Sequence, residues 1–291
     1  MAITVTPLHP TIGAQVRGID LSRPLPPGVF AEIEAAFNRH AVLVFPGQPL
    51  TDDQQIAFSV NFGPLEVNPN YAGERMRLAN LKIADISNLD ADGEILALDS
   101  KRRVFNLGNQ LWHTDSSFKF VPARCSLLSA REIPPEGGET EFADLRAAYD
   151  ALPEERKRQI EGLVVEHSIF RSRSQIGFGD FNPEIENELP PVPQVLVRRH
   201  PGSGRKTLYI AAHASHIVGM PVPDGRLLLM ELIEHATQRQ FVHAHRWQEG
   251  DLVIWDNRCT MHRARPFDTT QVRDLRRVTT RDVASTLEQP A

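Results

Sequence analysis

The sequence is poor in cysteine. Cys125 and Cys259 are the only two cysteines in 291 residues. Two cysteines cannot build a disulfide framework, and without a Cys-x-x-Cys pair the usual closed, thiolate-rich zinc site is disfavoured as well. A reducing compartment is the simplest setting for such a chain, so we expect a cytoplasmic protein.

Long apolar runs and an excess of positive charge are also missing. No segment approaches the roughly 18 consecutive apolar residues of a membrane span. The first ten residues, MAITVTPLHP, lack the basic and apolar regions of a secretory signal. The net charge is −5, whereas a nucleic-acid-binding protein normally shows a basic excess. We therefore expect neither a membrane nor a nucleic acid as a partner.

What is present is an ordinary globular composition, 41% hydrophobic and 24% charged. Two stretches lack a regular pattern: residues 64–106, apart from LKIADISN, and residues 171–194, which are rich in Ser, Gly, Asn and Pro. We interpret 171–194 as a long loop, which in a compact domain is usually functional or disordered. We predict a single domain over 1–291 with loop insertions at about 64–106 and 169–194.

Strand-like apolar runs dominate the remaining pattern. AVLVFPG at 41–47 reads as a buried strand. Later runs are CSLLSA, GLVVEHSI, PQVLVRR, TLYIAA, DLVIWD and RRVTTR. Helical stretches begin near Pro27, after an N-cap at Thr51, at Asp144 with a break at Pro153, and at 225–239. Because strands and helices do not alternate regularly, we predict a mostly β fold with flanking helices, a cupin-like jelly roll or double-stranded β-helix.

One histidine has an acidic residue two positions later. Among eleven histidines only His113 does so, through Asp115 in QLWHTDSSF. On a strand, residues two apart point to the same face, so both side chains could reach one ion. About one such pair is expected by chance at average residue frequencies. On this pair alone, a histidine hydrogen-bonded to a nearby carboxylate is the better explanation.

A third candidate ligand and two arginines strengthen the metal hypothesis. His262 follows an apolar strand in DLVIWDNRCTMHRARP, and Arg273 lies eleven residues further on. Arg273 and Arg277 share one face of a strand, while Arg276 points the other way, to the surface. Two imidazoles and one carboxylate form the facial triad of non-haem Fe(II) oxygenases, which leaves coordination positions open for a cosubstrate and O₂.

A rival pair of histidines also occurs. His243 and His245 would share one face of a strand, but no carboxylate or arginine pair follows at a suitable spacing. A structural role is therefore favoured for them. The sequence does not decide whether some side chains line the pocket, fill the core or hydrogen-bond to the backbone. These residues are Trp112, Phe118, Phe120, His213 and His216.

Long motifs over nearly the whole chain carry a resemblance to a known family. They are DQQIAFSVNFGPLE, ADISN, GNQLWHTDSSF, PPEGGETEF, HPGSGRKTLYIAAHASHI and GDLVIWDNRCTMHRARPFD. On these motifs the sequence resembles the taurine/2,4-dichlorophenoxyacetate dioxygenase family, and within it most closely the members acting on phenoxyacetates. Departures from those members lie at 64–85 and 169–190, which we expect to shape the substrate pocket.

The resemblance implies a metal site and a cosubstrate site. His113, Asp115 and His262 would hold the catalytic Fe(II). The far carboxylate of 2-oxoglutarate would bind Arg273 and Thr140. Arginine suits this role because its planar fork matches a carboxylate through two charge-assisted hydrogen bonds.

The resemblance also implies the substrate and the reaction. Arg277 would bind the anionic group of the substrate, with Asn109 and His213 as possible helpers. Fe(II), 2-oxoglutarate and O₂, with ascorbate as an activator, would oxidise the carbon beside the ether oxygen of an aryloxyalkanoate and release a phenol and glyoxylate. This activity belongs to the catabolism of aromatic xenobiotics.

Two alternatives remain, and the assembly is implied by analogy. The same chemistry could act on taurine, an alkyl sulfate or sulfonate, or another aryl carboxylate. A non-catalytic jelly-roll module that binds a metal or ligand is disfavoured, because it needs neither open coordination positions nor Arg273. Relatives imply a homo-oligomer.

Overall fold

Strands and short helices make up the computed structural model, which describes residues 3–71, 73–181 and 183–289. The strands are Thr4–Pro7 (β1), Ala14–Arg17 (β2), Val42–Phe45 (β3), Ala84–Ser87 (β4), Ala123–Glu132 (β5), Thr140–Asp144 (β6), Val164–His167 (β7), Val192–Val195 (β8), Val197–Arg199 (β9), Lys206–Leu208 (β10), Ala214–Ile217 (β11), Val242–His245 (β12), Leu252–Asp256 (β13), Thr260–Ala264 (β14) and Asp274–Arg281 (β15). The α-helices are Val29–His40 (α1), Asp52–Ser59 (α2), Lys101–Leu107 (α3), Leu145–Asp150 (α4), Glu154–Ile160 (α5), Ile169–Ser174 (α6), Pro183–Glu188 (α7) and Val222–Ala236 (α8).

The main sheet has seven strands in the order β1-β2-β3-β13-β5-β15-β4. Its neighbouring strands are antiparallel except for β2 and β3. A smaller sheet, β12-β6-β14, packs against it. Phe142 of the smaller sheet meets Trp255 of the main sheet with ring centroids 5.6 Å apart, and both are buried. Two packed sheets with helices outside confirm the predicted mostly β, jelly-roll architecture.

Helices α1 and α2 cover the other face of the main sheet. Ile33 and Phe37 of α1 and Phe58 of α2 pack with Phe45 of β3 in one buried cluster. The predicted N-cap at Thr51 is confirmed, since its hydroxyl accepts a hydrogen bond from the Gln54 N–H in a capping box. The predicted strand at 41–47 is also confirmed, because every residue of β3 is buried.

The interpretation of residues 171–194 as a long loop is wrong. This stretch contains the end of α6, all of α7 and most of β8. The region around it has its own apolar cluster, in which Phe178 and Phe181 pack against Phe105 of α3. Helix α3 lies in the 64–106 stretch and was not predicted. The aromatic side chains of the 64–106 and 171–194 stretches are buried against each other. Because they do not pack on a regular helix or sheet surface, neither stretch shows a local hydrophobic period.

None of the helices in the described ranges could cross a membrane. The longest, α8, has 15 residues, whereas a membrane span needs about 20.

Candidate active site

The two predicted histidine ligands are neighbours across an isolated β-bridge. The His113 N–H donates to the His262 carbonyl at 3.0 Å, and the His262 N–H donates to the His113 carbonyl at 2.7 Å. Their ring centroids are therefore only 4.1 Å apart. His262 lies at the middle of β14. The expectation that His113 and Asp115 lie on a strand is wrong, because a turn begins at Asp115.

The turn nevertheless brings the Asp115 carboxylate to both imidazoles. His113 Nε2 lies 3.9 Å from Asp115 Oδ1, and His262 Nε2 lies 3.8 Å from Asp115 Oδ2. One ligand atom from each of the three residues lies within 4.8 Å of the others. All three side chains are buried. Residues far apart in sequence thus form one compact donor set.

The protonation states of this donor set suit a divalent cation. His113 Nδ1 is 2.7 Å from the Leu111 carbonyl, so its proton is used there and Nε2 is free to coordinate. Burial lowers the pKa of His113 to about 4 and that of His262 well below its usual value. Burial opposes ionisation of Asp115, but the Arg277 guanidinium and the two imidazoles lower the pKa of this carboxyl. Two neutral imidazoles and one carboxylate therefore fit a metal ion.

A second group that could hold a metal is closed by its own hydrogen bonds. His200, Asp256 and Cys259 come together with no exposed side-chain surface on His200 or Asp256. Asp256 Oδ2 already accepts from His200 Nε2 at 2.9 Å and from Arg258 Nη2 at 2.7 Å. Arg258 Nε donates to Asp256 Oδ1 at 2.8 Å. We assign this group to structure.

Asn257 holds the turn that carries Asp115. Its side-chain oxygen accepts from the Asp115 N–H at 3.1 Å and from Trp255 Nε1 at 3.0 Å. Its amide nitrogen donates to Ser126 Oγ at 3.0 Å, and Ser126 in turn donates to Asp115 Oδ2 at 2.7 Å. Sequence reasoning missed both residues. The sequence gave no signal of this network, because the contacts of Asn257 with Asp115 and Ser126 span more than 100 residues.

Two cavities meet at the triad. The first, here the Arg273 cavity, is lined by residues that include Leu128, Thr140, Trp255, His262, Phe267 and Arg273. The second, here the Arg173 cavity, is lined by residues that include Tyr71, Phe105, Phe118, Ile169, Arg173 and His213. Their shared wall contains Ile86, Asn106, Asn109, His113 and Arg277. Two different molecules could thus approach one metal from separate sides.

The Arg273 cavity contains a buried cation with no carboxylate partner in the described residues. Arg273 is only 6% exposed, and its Nη2 donates to the Gly138 carbonyl at a long 3.3 Å. Burial lowers the pKa of Arg273 to about 10, so the guanidinium is still charged at neutral pH. An uncompensated buried charge is costly, and a bound anion would offset that cost.

Thr140 is placed to help bind the same anion. It lies on β6, lines the Arg273 cavity and is buried. Its hydroxyl oxygen accepts a hydrogen bond from Trp247 Nε1 at 3.0 Å. The hydroxyl proton therefore remains available for donation to a carboxylate.

Arg277 borders both cavities but already has an anionic partner. Its Nη1 donates to Asp115 Oδ1 at 2.6 Å. Its Nε is buried without a hydrogen-bond partner in the described part of the chain. Arg277 thus has only part of its guanidinium free for a substrate.

Arg276 was expected at the surface, but its side chain is only 20% exposed because it pairs with Asp52 at 2.7 Å.

Asn109 and His213 also lie at the predicted site. Asn109 lines both cavities, and its side-chain oxygen accepts from Arg173 Nη2 at 3.4 Å. His213 is buried, with its ring 6.1 Å from that of His113 and 4.9 Å from that of Phe118. Arg173 was missed by sequence reasoning, since a lone arginine in an aperiodic stretch gives no signal.

The structure places the residues whose roles the sequence did not decide in different environments. Phe118 lines the Arg173 cavity, but Phe120 is 56% exposed and belongs to neither pocket nor core. Trp112 packs beside a core cluster with the Arg263 guanidinium 4.6 Å from its ring. His216 lies 3.6 Å from Glu166, outside both cavities.

The rival pair, His243 and His245, is not a metal-binding group among the described residues. His245 Nε2 lies 3.0 Å from Asp251 Oδ2, and its ring packs edge-on against Trp247. His243 packs against Gly13. These contacts are structural, as favoured above.

The fold and site define a jelly-roll oxygenase with a donor set for one metal ion and two adjoining ligand cavities. The chain belongs to the taurine catabolism dioxygenase TauD, TfdA family, whose model matches residues 4–279. It is a 2-oxoglutarate-dependent enzyme of that family, so the alternative of a non-catalytic binding module is set aside.

Relatives and solved structures agree with this assignment. The chain is 52% identical to an alpha-ketoglutarate-dependent 2,4-dichlorophenoxyacetate dioxygenase of Cupriavidus pinatubonensis, over 98% of this chain and 99% of the relative. It is 38% identical to an (S)-phenoxypropionate/alpha-ketoglutarate-dioxygenase of Sphingobium herbicidovorans, over 94% and 92%. The crystal structure of AAD-2 in complex with Mn(II) and N-oxalylglycine matches with a TM-score of 0.91 and 50% identity, over 99% of this chain and 100% of that one.

Proposed function

We propose that this chain oxidises aryloxyalkanoates such as 2,4-dichlorophenoxyacetate at the carbon beside the ether oxygen. Substrate, O₂ and 2-oxoglutarate would become a phenol, glyoxylate, succinate and CO₂. The main support for this proposal is the pair of cavities that meet at the triad. The Arg273 cavity contains a buried arginine and a hydroxyl, and the Arg173 cavity has aromatic walls. The 2,4-dichlorophenoxyacetate dioxygenase at 52% identity supports this choice of substrate.

We propose Fe(II) as the metal at His113, Asp115 and His262. The donor set of two imidazoles and one carboxylate favours it. When bound, the iron would supply the activation of O₂, with ascorbate keeping it reduced. The protein would hold the Asp115 carboxylate in place through Ser126 and Asn257. Such outer partners orient metal ligands and tune the site.

Arg273 and Thr140 would hold the far carboxylate of 2-oxoglutarate. The buried guanidinium would donate two charge-assisted hydrogen bonds, and the Thr140 hydroxyl would add a third. Because Trp247 already donates to the Thr140 oxygen, that hydroxyl is oriented before the ligand arrives. This arrangement would present the other end of 2-oxoglutarate to the metal.

Replacing Thr140 with valine is expected to raise the KM for 2-oxoglutarate by about 10- to 150-fold, since a hydrogen bond to a charged group contributes roughly 1.5–3 kcal/mol. Thr140→Ser, which retains the hydroxyl, should stay within about threefold of the wild type. Steady-state succinate production measures both. An unchanged KM in the valine variant would remove Thr140 from the cosubstrate site.

The substrate would occupy the Arg173 cavity. Tyr71, Phe105 and Phe118 supply apolar walls of a kind that suits an aromatic ring. We propose Arg277, Asn109 and His213 as substrate-binding residues, because all three line this cavity beside the triad. Arg277 would also keep Asp115 ionised.

Phenol release from phenoxyacetates tests the choice of substrate. With Fe(II), ascorbate and 2-oxoglutarate, we expect phenol and succinate in equal amounts, because each turnover couples the two oxidations. Taurine and a linear alkyl sulfate serve as matched anions without an aromatic ring and should give little succinate. Succinate formation driven by taurine or the sulfate, without phenol from any phenoxyacetate, would reject this substrate class while leaving the chemistry intact.

We further propose one domain over 1–291, in which the insertions at about 64–106 and 169–194 build the substrate cavity. Residues 68–71 and 74–78 line it together with Ile169 and Arg173 of α6, which supports that role. A net charge of −5 and only two cysteines support a cytoplasmic enzyme without a nucleic-acid or membrane partner. We also propose a homo-oligomer, by analogy with relatives.

A further inference from the structure

Arg173 is a second buried cation without a carboxylate partner in the described residues. Its side chain lies on α6 and is only 4% exposed. Its two hydrogen bonds, from Nη1 to Ser172 Oγ and from Nη2 to Asn109 Oδ1, are both long at 3.4 Å. Its Nε is buried and has no hydrogen-bond partner within the described part of the chain. A buried charge so weakly satisfied indicates a site for an anion.

The surroundings of Arg173 hold its guanidinium against the cavity. Its charge lies 4.3 Å from the centre of the Phe105 ring, a cation–π contact. On another side Gly108 makes room for it, because a Cβ there would lie 2.3 Å from Arg173 Nη1. The side-chain oxygen of Asn109, the residue after Gly108, accepts a hydrogen bond from Arg173 Nη2. These three contacts fix the position of the Arg173 guanidinium at the cavity wall.

We propose that Arg173 binds the carboxylate of the aryloxyalkanoate and thereby determines which carbon faces the metal. This inference rests on the proposed function and deepens it. Arg173 lines the same cavity as His113 and Asp115. Arg277, the residue predicted for this task, already donates to Asp115. Among the described residues Arg173 has no anionic partner, so it adds a second cation beside Arg277 whose charge is not yet paired.

The chemistry of the substrate agrees with this placement. In an aryloxyacetate the oxidised carbon lies between the ether oxygen and the carboxylate, so the carboxylate must be held beside the triad. Arg173 would hold it there, and the aryl ring would extend toward Tyr71 and Phe118. Arg273 would then hold 2-oxoglutarate in one cavity, while Arg173, together with Arg277, would hold the substrate carboxylate in the other.

The central experiment is Arg173→Gln, which removes the charge but keeps a polar side chain. We expect the KM for 2,4-dichlorophenoxyacetate to rise by at least about 30-fold, as for truncation of one partner in a buried charge pair. The KM for 2-oxoglutarate should change less than about twofold. As a readout independent of turnover, the acid should raise the Tm of the wild type more than its neutral amide does, and the variant should lose this difference.

Two further variants control the experiment. Arg171→Gln removes the same charge from the same helix, but Arg171 does not line either cavity, so the substrate KM should be unchanged. Gly108→Ala keeps Arg173 but its Cβ would displace the guanidinium, so the substrate KM should rise. If Arg173→Gln fails to fold, Gly108→Ala and Arg173→Lys carry the same test, with an intermediate KM expected for lysine.

The outcomes separate this inference from the proposed function. If the wild type releases no phenol from any phenoxyacetate, the proposed substrate class fails. If the wild type does so but Arg173→Gln and Gly108→Ala keep its substrate KM and its preference for acid over amide, only the role of Arg173 is overturned.

Discussion

Replacing Asp115 with asparagine is expected to abolish tight metal binding and to lower turnover by more than about 100-fold, since losing merely an outer partner of a metal ligand typically costs 10- to 100-fold. The substitution conserves volume, so the buried packing around the site is retained. It removes the negative charge that two neutral imidazoles require beside them to bind a divalent cation. It also leaves the Arg277 guanidinium, 2.6 Å away, facing a neutral amide.

Anaerobic spectroscopy measures this effect before any turnover. With Fe(II) and 2-oxoglutarate, the wild type should develop the weak visible charge-transfer band of the chelate, and Asp115→Asn should not. His243→Gln is the matched control, since it alters the rival histidine pair on β12 and should leave the band in place. Loss of the band in His243→Gln with its retention in Asp115→Asn would move the metal site to the rival pair.

The second large effect is expected for Arg273→Ala, which should weaken 2-oxoglutarate binding by about 30- to several-thousand-fold, or roughly 2–5 kcal/mol. The guanidinium is buried with no carboxylate partner in the described chain, so the bound cosubstrate would supply the missing anion. Removing the arginine leaves the carboxylate of 2-oxoglutarate desolvated and unpaired. The loss should appear in the 2-oxoglutarate KM and much less in the KM of the oxidised substrate.

Arg276→Gln provides the control for this variant. Arg276 lies three residues further along the chain but pairs with Asp52 of α2 and does not line the Arg273 cavity. Its replacement should leave the 2-oxoglutarate KM within about twofold of the wild type. If Arg273→Ala instead raised only the KM of the oxidised substrate, the two anion sites would have to be exchanged.

The proposed metal ligands illustrate how far the sequence could be read. His113-x-Asp115 and the distal His262 could be selected because residue type and spacing carry the chemistry of coordination. The reason given for the first pair, a shared strand face, was nevertheless wrong. A turn at Asp115, held by Asn257, brings the carboxylate to the imidazoles instead. The residue types were readable, whereas the geometry that joins them depends on contacts between distant segments.

The same distinction applies to the two irregular stretches. The stretches 171–194 and 64–106 contain helices and part of a strand although they show no local period. Their aromatic residues pack against one another across the fold, for example Phe105 against Phe178. Short-range patterns record only burial against a regular surface, so burial of this kind leaves no trace in a sequence window.

The sequence by itself determined the mostly β fold and singled out the proposed metal-binding residues and Arg273, because each follows from local patterning or from chemistry and spacing. Only the tertiary structure decided which cations lack partners. It paired Arg277 with Asp115 and Arg276 with Asp52, and left Arg173 facing a cavity. Pairing of buried charges depends on three-dimensional distance, which the linear order of residues does not specify.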